Sequence, residues 1–514
     1  MELVGIDQSR PAKDGPWELP DGWAWMPLGR LGAWTGGGTP SKANASFWEN
    51  GTVPWVSPKD MKVEIIGETE DKITTEAVAS SSAKYVPEGS VLMVMRSGIL
   101  RHSFPVAVTD RVVTLNQDLR ALAPSHGISP HYVARYLALA SQRVLHECSK
   151  DGTTVNSIEV SALERLRVPV APLPEQRRIV ARIDALFAEI AEGEAALAEA
   201  RKSLETFRRA LLKAAVTGEL TKDWRAANAV SETGQDVLAR LSKETPKKLS
   251  AASRKARRSD FPLFDVTALP GLPESWAWSN LGQIGEIVGG ATVDRKRKPA
   301  TPVIVPYLRV ANVQRGYVDL SEVKSITVEQ ATLEKLRLVR GDILLNEGGD
   351  RDKIGRGWVW DGAVPDMIHQ NHIFRVRLRT SSLNPFFVSY YANEMGRRFF
   401  VSEGKQTTNL ASISLSKISL LPIPIPPPAE AAEILRRVSE ALAASADALG
   451  LLDAEAADAA RLRLSILKAA FEGRLVPQDP ADEPASVLLA RLADAPISSR
   501  KVRGGAKARA PATP

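Results

Sequence analysis

The stretch LPDGWAW, at Leu19–Trp25, returns as LPESWAW at Leu272–Trp278. Two tryptophans one residue apart are uncommon, so their recurrence indicates an internal repeat. The stretch ALLKAAVTGEL, which begins at Ala210, returns in the same way as SILKAAFEGRL at Ser465. The separation is roughly 250 residues in both cases, far longer than the repeat of a solenoid. The sequence therefore predicts two tandem copies of one unit.

The composition excludes several classes of protein. The chain has 514 residues, a net charge of +7 and 25% charged residues, which is typical of a globular protein with more than one domain. Cys148 is the single cysteine, so we expect neither an intramolecular disulfide nor a cysteine-based zinc site. The N-terminal residues lack the apolar core of a signal peptide, and prolines interrupt the longest apolar stretch. We therefore expect a cytoplasmic protein, for which the basic charge is compatible with a polyanionic partner.

Both copies have the same internal order. Short β-rich runs broken by Gly and Pro come first, then a Pro-rich closure, then a long helical stretch. This order predicts an α+β fold with two tandem-repeated mixed α/β domains separated by two long helices packed as an antiparallel coiled coil. The predicted boundaries are 17–173 for the first mixed domain, 174–218 for the first long helix, 219–268 for a linker with a short helix, 269–428 for the second mixed domain, 429–475 for the second long helix, and 476–514 for a short helix and a disordered basic tail.

Apolar residues in the long helices follow a coiled-coil spacing. In the first helix they recur every seven residues, with a second set three positions further on, and in the second helix they alternate in steps of three and four. A long helix with one narrow apolar face needs a partner to be stable. The alternative is a helix buried in a large core, which the charged flanking residues disfavour. The predicted seam residues are Ile183, Leu186, Ile190, Leu197, Leu204, Phe207 and Leu211 in the first helix and Val438, Leu442, Leu449, Leu452, Leu462 and Ile466 in the second.

The order of these motifs resembles one known family. A Pro-rich closure leads into LPEQRRIVARID at 173–184, the first long helix ends in LLKAAVTGELTKDWR at 211–225, and the whole set then repeats. This order is similar to that of the specificity subunit of type I restriction-modification enzymes. The resemblance extends over residues 17–492, nearly the whole chain.

The resemblance implies two target recognition domains, each reading one half of a split double-stranded DNA site. It also implies that the two helices form an antiparallel spacer, on which two methyltransferase subunits and the restriction/translocase subunits dock. The chain itself would be non-catalytic and would bind no cofactor, whereas the partner subunits would bind S-adenosylmethionine, ATP and magnesium. The second copy has Ala431 where the first has Gln176. The subunit contacts attached to that motif are therefore expected to be weaker or rebuilt in the second copy.

Basic and amide side chains in loops are the candidates for DNA contact. Arg and Lys neutralise phosphates, whereas Arg, Gln and Asn read base edges. Gln117 and Gln370 stand at matching positions in LNQDL and IHQNHI, where they either read adenine or act as buried amides that tie strands together, and the structural role is favoured. The basic run at 295–298 is either a phosphate contact or a solvated charge run. The candidate DNA-binding residues are Lys42, Lys59, Lys62, Arg96, Arg101, His102, Gln117, Thr154, Asn156, Arg295, Lys296, Arg297, Lys298, Arg309, Gln314, Arg315, Arg351, Lys353, Arg356, Gln370, Asn371, Thr407 and Asn409.

Two further motifs allow more than one interpretation. Thr154 with Asn156, and Thr407 with Asn409, suit either phosphate contacts or helix N-caps. The paired tryptophans are expected to pack in the core of each domain or at its junction with the helices, because duplex bases are not free to stack on side chains.

Signals for an enzyme are weak. NPFF at Asn384 is similar to a methyltransferase motif, but SPHY at Ser129 occupies the same place in the first copy, and both precede helical runs, so both residues are predicted N-caps. The histidines have no metal-ligand spacing, and Cys148 lies in a helical pattern typical of a core residue. We expect no catalytic residues and no metal site. A coiled-coil scaffold without a DNA role and an enzyme that itself acts on DNA are the alternative functions.

Overall fold

The computed structural model describes residues 15–150, 156–244, 269–292, 299–349, 354–403, 405–406 and 411–494. The chain has an α+β fold and divides into two compact units. The first unit combines Met1–Leu197 with Ala454–Pro514, and the second unit is Ala198–Asp453. Each unit therefore contains one copy of the mixed domain and a part of each long helix.

Short strands and short helices alternate in the mixed domain of the first unit. The strands are β1 (Ala24–Pro27), β2 (Gly32–Gly36), β3 (Val53–Val56), β4 (Ile65–Ile66), β5 (Asp71–Ile73), β6 (Tyr85–Val86), β7 (Val91–Val94), β8 (Val106–Thr109), β9 (Val113–Leu115), β10 (Leu119–Pro124), β11 (Ser149–Lys150), β12 (Ser157–Ile158) and β13 (Arg167–Val170). The helices are α1 (Thr75–Ser80), α2 (Pro130–Leu139), α3 (Ser141–Glu147) and α4 (Val160–Arg165), and the first long helix, α5 (Leu173–Thr217), follows them.

Two sheets form the framework of this domain. One has the strand order β2-β10-β7-β8-β4 and the other has the order β5-β3-β9-β6. Strand β7, with the sequence VLMV, is buried along its whole length because its apolar side chains fill both faces of the sheet. In the core, the rings of Tyr132 and Tyr136 meet the ring of Phe471 edge-on, with centroids 5.0 and 5.2 Å apart. The end of the second long helix is therefore part of the first domain's core.

The second unit repeats this architecture with longer strands. After α5 come α6 (Lys222–Ala227) and α7 (Gly234–Glu244). The strands are β14 (Ala277–Asn280), β15 (Gly285–Gly289), β16 (Pro302–Leu308), β17 (Val313–Gln314), β18 (Tyr317–Val318), β19 (Lys324–Glu329), β20 (Ile343–Asn346), β21 (Gly348–Gly349), β22 (Gly357–Val359), β23 (Ile368–His369), β24 (Ile373–Leu378), β25 (Lys405–Gln406), β26 (Ala411–Ser412) and β27 (Pro422–Ile425). The helices are α8 (Leu281–Ile284), α9 (Gln330–Leu336), α10 (Pro385–Glu394), α11 (Gly396–Glu403) and α12 (Leu415–Ile418), followed by the second long helix α13 (Pro428–Phe471) and by α14 (Ala485–Asp494). The main sheets have the orders β15-β24-β20-β22 and β19-β16-β23.

The repeated opening motif connects each domain to its own long helix. The indole Nε1 of Trp23 donates to a carboxylate oxygen of Glu175 at 3.0 Å, and that of Trp276 donates to Glu430 at 2.9 Å. Both tryptophans are buried, and both carboxylates lie in the first turn of a long helix. An acidic side chain there also interacts favourably with the helix dipole. The expectation that the tryptophans pack at the junction with the helices is confirmed.

The same motif also packs on the end of the long helix from the other copy. Gly218 follows α5 with a φ of 80°, and Gly473 follows α13 with a φ of 71°, which stops each helix. A Cβ added to Gly473 would lie 2.1 Å from Cγ of Pro20, and one added to Gly218 would lie 2.6 Å from Cγ of Pro273. Glycine is thus required at both helix ends by its backbone conformation and by the contact with the opening proline.

The residue after each of these glutamates differs between the copies and is buried in both. Gln176 accepts from the backbone N–H of Ser129 at 2.9 Å and donates to the carbonyl of Ala171 at 2.8 Å. Its counterpart Ala431 is also buried and cannot make these bonds. Gln176 therefore supports its own domain, and the expectation that subunit contacts at this motif are weaker or rebuilt in the second copy stays a prediction.

The short helices after the long ones are parts of the cores. Val237 and Leu241 of α7 are buried in the second unit, and Ala485 and Leu489 of α14 are buried in the first unit. The apolar face of each helix explains this placement, because an amphipathic helix buries that face against a domain. The short helices predicted within 219–268 and 476–514 are therefore packed parts of the two units.

The predicted N-caps are confirmed. The hydroxyl of Ser129 accepts from the backbone N–H of Tyr132 at 3.4 Å at the start of α2. The amide oxygen of Asn384 accepts from the N–H of Phe386 at 2.9 Å at the start of α10.

Within the first unit, the long helices run antiparallel. Arg178, near the start of α5, contacts Asp482 beyond the end of α13 at 2.8 Å, whereas Glu194 further along α5 contacts Arg463 within α13, also at 2.8 Å. The ring of Phe187 lies against the guanidinium of Arg463, whose central carbon is 4.9 Å from the ring centroid.

Within the second unit, the helices are also antiparallel. Arg201 of α5 forms an ion pair with Asp453, near the middle of α13, whereas Asp223 beyond the end of α5 contacts Arg437, near the start of α13, at 2.8 Å. Neither long helix, nor any other helix in the described ranges, combines the length and the apolar content of a membrane span.

The seam between the two long helices contains most of the predicted residues and differs from the prediction at Phe207 and Leu462. The predicted residues that are at least partly buried are Ile183, Leu186, Ile190, Leu197, Leu204, Leu211, Val438, Leu442, Leu449, Leu452 and Ile466. Phe207 is 48% exposed and Leu462 is 51% exposed, so their assignment to the seam is wrong. Glu194 and Arg201, which follow Ile190 and Leu197 by four residues, are partly buried, and the ion pairs described above satisfy both charges across the helix pair.

Candidate nucleic-acid interface

In the first unit, loops meet at the carboxyl ends of the parallel strands β3 and β9. The backbone N–H of Asn116 donates to the carbonyl of Val56 at 2.9 Å, and the N–H of Gly38, after β2, donates to the carbonyl of Leu115 at 2.8 Å. A Cβ on Gly37 would lie 1.6 Å from the carbonyl oxygen of Asn116. Only glycine permits this approach, and the second copy has Gly290 at the matching position.

We call the carboxyl ends of β3 and β9, with the loops that meet there, the edge of the first unit. The loop after β7 completes this edge. The backbone N–H of Met95 donates to the carbonyl of Asp118 at 2.8 Å, and the N–H of Ser97 donates to the carbonyl of Asn156 at 3.3 Å. Arg96, between them, has a 67% exposed side chain whose Nε lies 3.7 Å from the Asp118 carboxylate. The structure thus brings the predicted residues Arg96 and Asn156 to the same edge as the loop after β9.

Gln117 lies exposed in this loop, and its amide has a partner on each side. The hydroxyl of Thr39 donates to Oε1 of Gln117, and Nε2 of Gln117 donates to Oδ2 of Asp118 at 3.2 Å. The preceding Asn116 is only 6% exposed and accepts from the N–H of Asp118 at 3.0 Å. The interpretation of Gln117 as a buried amide is therefore wrong, because successive residues of an extended segment point to opposite sides and Asn116 takes the inner one.

Further basic side chains of the first unit lie in the loops after β2, β3 and β7. These predicted residues, all exposed, are Lys42, Lys59, Lys62, Arg101 and His102. Lys59 forms an ion pair with Glu70 at 3.5 Å, but both side chains are about two-thirds exposed. Such a pair contributes little to stability, so its lysine is free to exchange partners.

Lys84 is a basic residue of this edge that the sequence analysis missed. It precedes β6, where Tyr85 pairs with Thr114 in an antiparallel register, so it lies towards the carboxyl end of β9. A Cβ on Gly38 would lie 2.4 Å from Oγ of Ser82, which places the loop before β6 against the loop after β2. No motif marks Lys84, and only the strand register locates it.

The second unit has the same edge. Strands β16 and β23 are parallel, and the backbone N–H of Gln370 donates to the carbonyl of Leu308 at 2.9 Å. The N–H of Ala291 donates to the carbonyl of His369 at 2.8 Å, and a Cβ on Gly290 would lie 2.1 Å from that oxygen. The backbone framework of the edge is therefore repeated bond for bond.

The strand register changes one predicted equivalence. Leu115 and His369 occupy the same position in the two parallel pairs. Two residues further on, Gln117 therefore corresponds to Asn371 and not to Gln370, as the motif comparison predicted. The shared glutamine gave the better sequence match, but backbone pairing decides the position. Asn371 and Gln370 are both half-buried.

Three predicted residues of the second unit hydrogen-bond within their own domain. Arg309 donates to the carbonyl of Glu322 at 3.1 Å, and Gln314 donates to a carbonyl of its own loop at 2.6 Å. Arg315 donates to the carbonyl of Asn393 in α10. These bonds use donors that DNA contact would need, and DNA contact by these residues stays a prediction.

Part of the predicted set lies outside the described residues. These residues are Thr154, Arg295, Lys296, Arg297, Lys298, Arg351, Lys353, Thr407 and Asn409. Arg356 is described and partly buried, and its carbonyl accepts from the N–H of Asn346 at 2.9 Å.

The sequence analysis also missed a buried polar group next to the edge of the second unit. Asp342 is fully buried and accepts two hydrogen bonds from Arg377, each 2.7 Å long. His369 is fully buried as well, and burial lowers its pKa to about 4, so the ring is neutral at pH 7. In the first unit, the equivalents of His369 and Arg377 are Leu115 and Ala123. The alternating arginines of IFRVRL were the available signal.

Two features that would favour an enzyme in the described residues are a metal cluster and a reactive thiol. No group of three or more His, Cys, Asp or Glu side chains in these ranges is placed to hold a metal ion. Cys148 is buried, as predicted for a core residue, and burial raises the pKa of its thiol. A raised thiol pKa disfavours the nucleophilic thiolate.

The chain matches one family model. This model, described as the type I restriction modification DNA specificity domain, matches residues 20–200 and 273–446. These two segments coincide with the two copies of the repeat.

Individual relatives agree with the family match. The StySPI specificity subunit of Salmonella potsdam is 25% identical over 517 residues, which cover 95% of this chain and 98% of that protein. The EcoR124I/EcoR124II specificity subunit of Escherichia coli is 40% identical over 191 residues, which cover 37% of this chain and 47% of that protein. A solved structure from a study of complex assembly and conformational transition in the type I restriction-modification system aligns over 89% of this chain and all of that chain, with a TM-score of 0.57 and 18% identity. At that identity, the likeness supports the fold.

Proposed function

Because the chain belongs to the family of type I restriction-modification DNA specificity subunits, we propose that it binds a bipartite double-stranded DNA target and that each unit reads one half-site. DNA sequence recognition, not catalysis, is its role in such a system. The observation that supports the proposal is the repeated edge, where the same backbone bonds bring loops together at the carboxyl ends of β3 and β9 in the first unit and of β16 and β23 in the second.

The side chains on this common framework differ between the units. Gln117 of the first unit corresponds to Asn371 of the second, and the inward-facing Leu115 corresponds to His369. Because base-edge contacts decide sequence preference, two edges with different side chains should read different sequences. We therefore propose an asymmetric target with unlike half-sites.

The exposed basic residues of the first unit supply phosphate contacts in this proposal. Each phosphate neutralised reduces log K by roughly 0.9 for each tenfold rise in salt. Replacing Lys59 and Lys62 with alanine should make this slope shallower by up to roughly 1.8. Lys202, which is exposed on α5, provides the matched control, and its replacement should leave the slope unchanged. An unchanged slope in the Lys59 and Lys62 variant would remove these residues from the DNA surface.

We also propose that the exposed apolar residues of the long helices dock the methyltransferase subunits. Phe207 and Leu462 occupy the same position in the two copies, four residues before the paired LLKAA and ILKAA motifs, and each is about half exposed. One lies in the second unit and the other in the first, so two equivalent patches suit two copies of one partner. The restriction/translocase subunits would join this assembly, and S-adenosylmethionine, ATP and magnesium would be bound by the partners. The proposed place of action is the cytoplasm.

Docking can be tested one patch at a time. Phe207→Glu and Leu462→Glu should each lower the stoichiometry of bound methyltransferase from two to one, and the double variant should bind none, as measured by native mass spectrometry. Glu205→Gln, on an exposed position of the same helix as Phe207, is the control. Two subunits retained in the double variant would contradict this docking surface.

A domain exchange tests the proposal for DNA. Residues 24–170 would be replaced by the matching segment of another family member, and Pro20 and Trp23 would be kept because they contact Gly473 and Glu175. Methylome sequencing of cells that carry the hybrid with its methyltransferase should show one half of the methylated motif changed and the other half intact. A change in both halves, or in neither, would contradict one half-site per unit. Metal-dependent cleavage by the isolated chain would instead support a DNA-acting enzyme.

A further inference from the structure

We propose that Gln117 reads an adenine in the half-site bound by the first unit, and that Thr39 and Asp118 hold its amide in position for this contact. The inference rests on the proposed DNA-binding function and assigns a specificity-determining residue to it. Its basis is the hydrogen-bond arrangement around one exposed side chain.

The neighbours of Gln117 determine which way its amide points. An ionised carboxylate only accepts hydrogen bonds, so the group 3.2 Å from Oδ2 of Asp118 must be the NH₂ of the amide. Oε1 then faces Thr39, whose hydroxyl donates to it. The reversed amide would place two acceptors against each other at Asp118.

Asp118 is itself held by three contacts. Its N–H donates to the side chain of Asn116 at 3.0 Å, and its carbonyl accepts from Met95 at 2.8 Å. Its second carboxylate oxygen faces Nε of Arg96 at 3.7 Å, which offsets the negative charge close to the DNA surface. The loops after β2, β7 and β9 thus all contribute to the position of one amide.

The unused hydrogen-bonding groups of Gln117 match adenine. A primary amide has two donor hydrogens and two acceptor lone pairs. Asp118 uses one donor and Thr39 occupies one lone pair, so one donor and one acceptor remain for a ligand on the exposed side. The major-groove edge of adenine offers an acceptor, N7, beside a donor, N6. Guanine offers two acceptors, cytosine one donor, and thymine one acceptor beside a methyl group, so none of them satisfies both groups.

Holding the amide before binding also favours recognition over non-specific contact. A free glutamine side chain loses rotamer entropy when it docks, and a pre-organised one loses less. Lys59 and Lys62, in contrast, are exposed and carry ammonium groups that suit phosphates. The structure therefore separates a base-reading position from phosphate-binding positions within one edge.

The test compares variants of the full chain, each expressed with its methyltransferase subunits. Methylome sequencing of the wild type first gives both half-sites. Gln117→Ala should relax one A·T position in one half-site by a factor of roughly 5 to 150, and leave all other positions unchanged. Gln117→Glu, which can only accept, should shift that position towards cytosine, whose N4 is a donor. Gln142→Ala, an exposed glutamine on α3, is the control and should preserve the motif.

Binding of synthetic duplexes identifies the atoms involved. At the A·T pair found above, 7-deazaadenine removes the N7 acceptor and should weaken wild-type binding, but should not weaken binding by Gln117→Ala any further. Thr39→Val, which removes the positioning hydroxyl, should reduce the discrimination less than Gln117→Ala does.

The possible outcomes separate the two proposals. A wild-type chain that directs no two-part methylation would overturn the proposed function and this inference together. A wild-type two-part motif that is fully retained in folded Gln117→Ala would overturn the inference alone. A relaxed position that is not an A·T pair would also overturn the inference alone. An affinity that falls equally for all sequences would do so too, because Gln117 would then be a phosphate contact. Thermal unfolding of the variants establishes that they are folded.

Discussion

Replacing Arg225 with methionine should destabilise the second unit at the junction between its domain and the start of α13. The carboxylate of Glu430 is fully buried there and accepts hydrogen bonds from Trp276 at 2.9 Å, from Thr221 at 2.6 Å and from Arg225. Arg225 brings the only positive charge among these donors. Methionine keeps the apolar stem of the side chain and removes this charge.

The magnitude follows from burial. Removing one partner of a buried ion pair typically costs about 3 to 5 kcal/mol, because a buried charge is left uncompensated. Arg225 is 18% exposed, and Trp276 and Thr221 keep their hydrogen bonds, so we expect the lower end, about 3 kcal/mol. The double variant with Glu430→Gln should recover most of this loss, since the uncompensated charge is then gone. Arg436→Met is the control: its guanidinium is 54% exposed and pairs with Glu433 and Glu440, so its loss should cost at most about 1 kcal/mol.

Hydrogen exchange is the suitable assay, because a chain with two units need not unfold in one step. In Arg225→Met, amides of α8 and β14 should lose protection, whereas those of α2 and β7 in the first unit should not. Equal effects of Arg225→Met and Arg436→Met, or a double variant no more stable than Arg225→Met, would refute the reasoning.

Three further predictions concern the seam and two buried titratable groups. Leu204→Asp should lower the stability of the helix pair by about 3 kcal/mol. Phe207→Asp should not, because Phe207 lies outside the seam. Equal shifts of the unfolding temperature in the two variants would contradict this assignment of the seam. His369 has a folded pKa of about 4, below its ordinary value of about 6.5. Its contribution to the stability of the second unit should therefore be fully present above about pH 6.5 and be lost as pH falls towards 4. His369→Leu should flatten this pH dependence in pH-resolved hydrogen exchange, and an unchanged slope would contradict the prediction. Burial raises the pKa of Glu175. Its contribution to the stability of the first unit is therefore present below the usual pKa range of glutamate and is lost as pH rises through the folded pKa. Glu175→Gln should remove this pH-dependent loss while its side chain still accepts from Trp23, and a variant that unfolds with the wild-type pH profile would contradict the prediction.

The repeat made the architecture predictable, but the heptad rule assigned two exposed residues, Phe207 and Leu462, to the seam. Spacings of three and of four residues both fit a helix with 3.6 residues per turn, so spacing alone assigned the apolar Phe207 to the seam although it is 48% exposed. The seam also contains the charged residues Glu194 and Arg201, because Glu194 pairs with Arg463 and Arg201 with Asp453 across the two helices. Such compensation depends on two distant segments and cannot be seen from one helix alone.

The candidate edge was predictable in composition but not in detail. The predicted residues Arg96, Gln117 and Asn156 do converge in loops at one edge, while DNA contact by them stays a prediction. Which amide is exposed depends on strand pairing, which turns Asn116 inward and leaves Gln117 exposed. Lys84 carried no sequence signal at all, because its place follows only from the register of β6 on β9.

The pattern of internal similarity has a physical explanation in these contacts. The residues that recur in both copies are those with partners in distant parts of the same unit: Trp23 with Glu175, and Pro20 with Gly473. In each unit, the opening proline packs on a helix end from the other copy, so a change in one copy's framework would disturb the domain of the other. Side chains in the loops, such as Gln117, have no such partner in the other copy. The framework is therefore constrained to stay alike in both copies, while the two edges are free to differ, which is what a protein that reads two unlike half-sites requires.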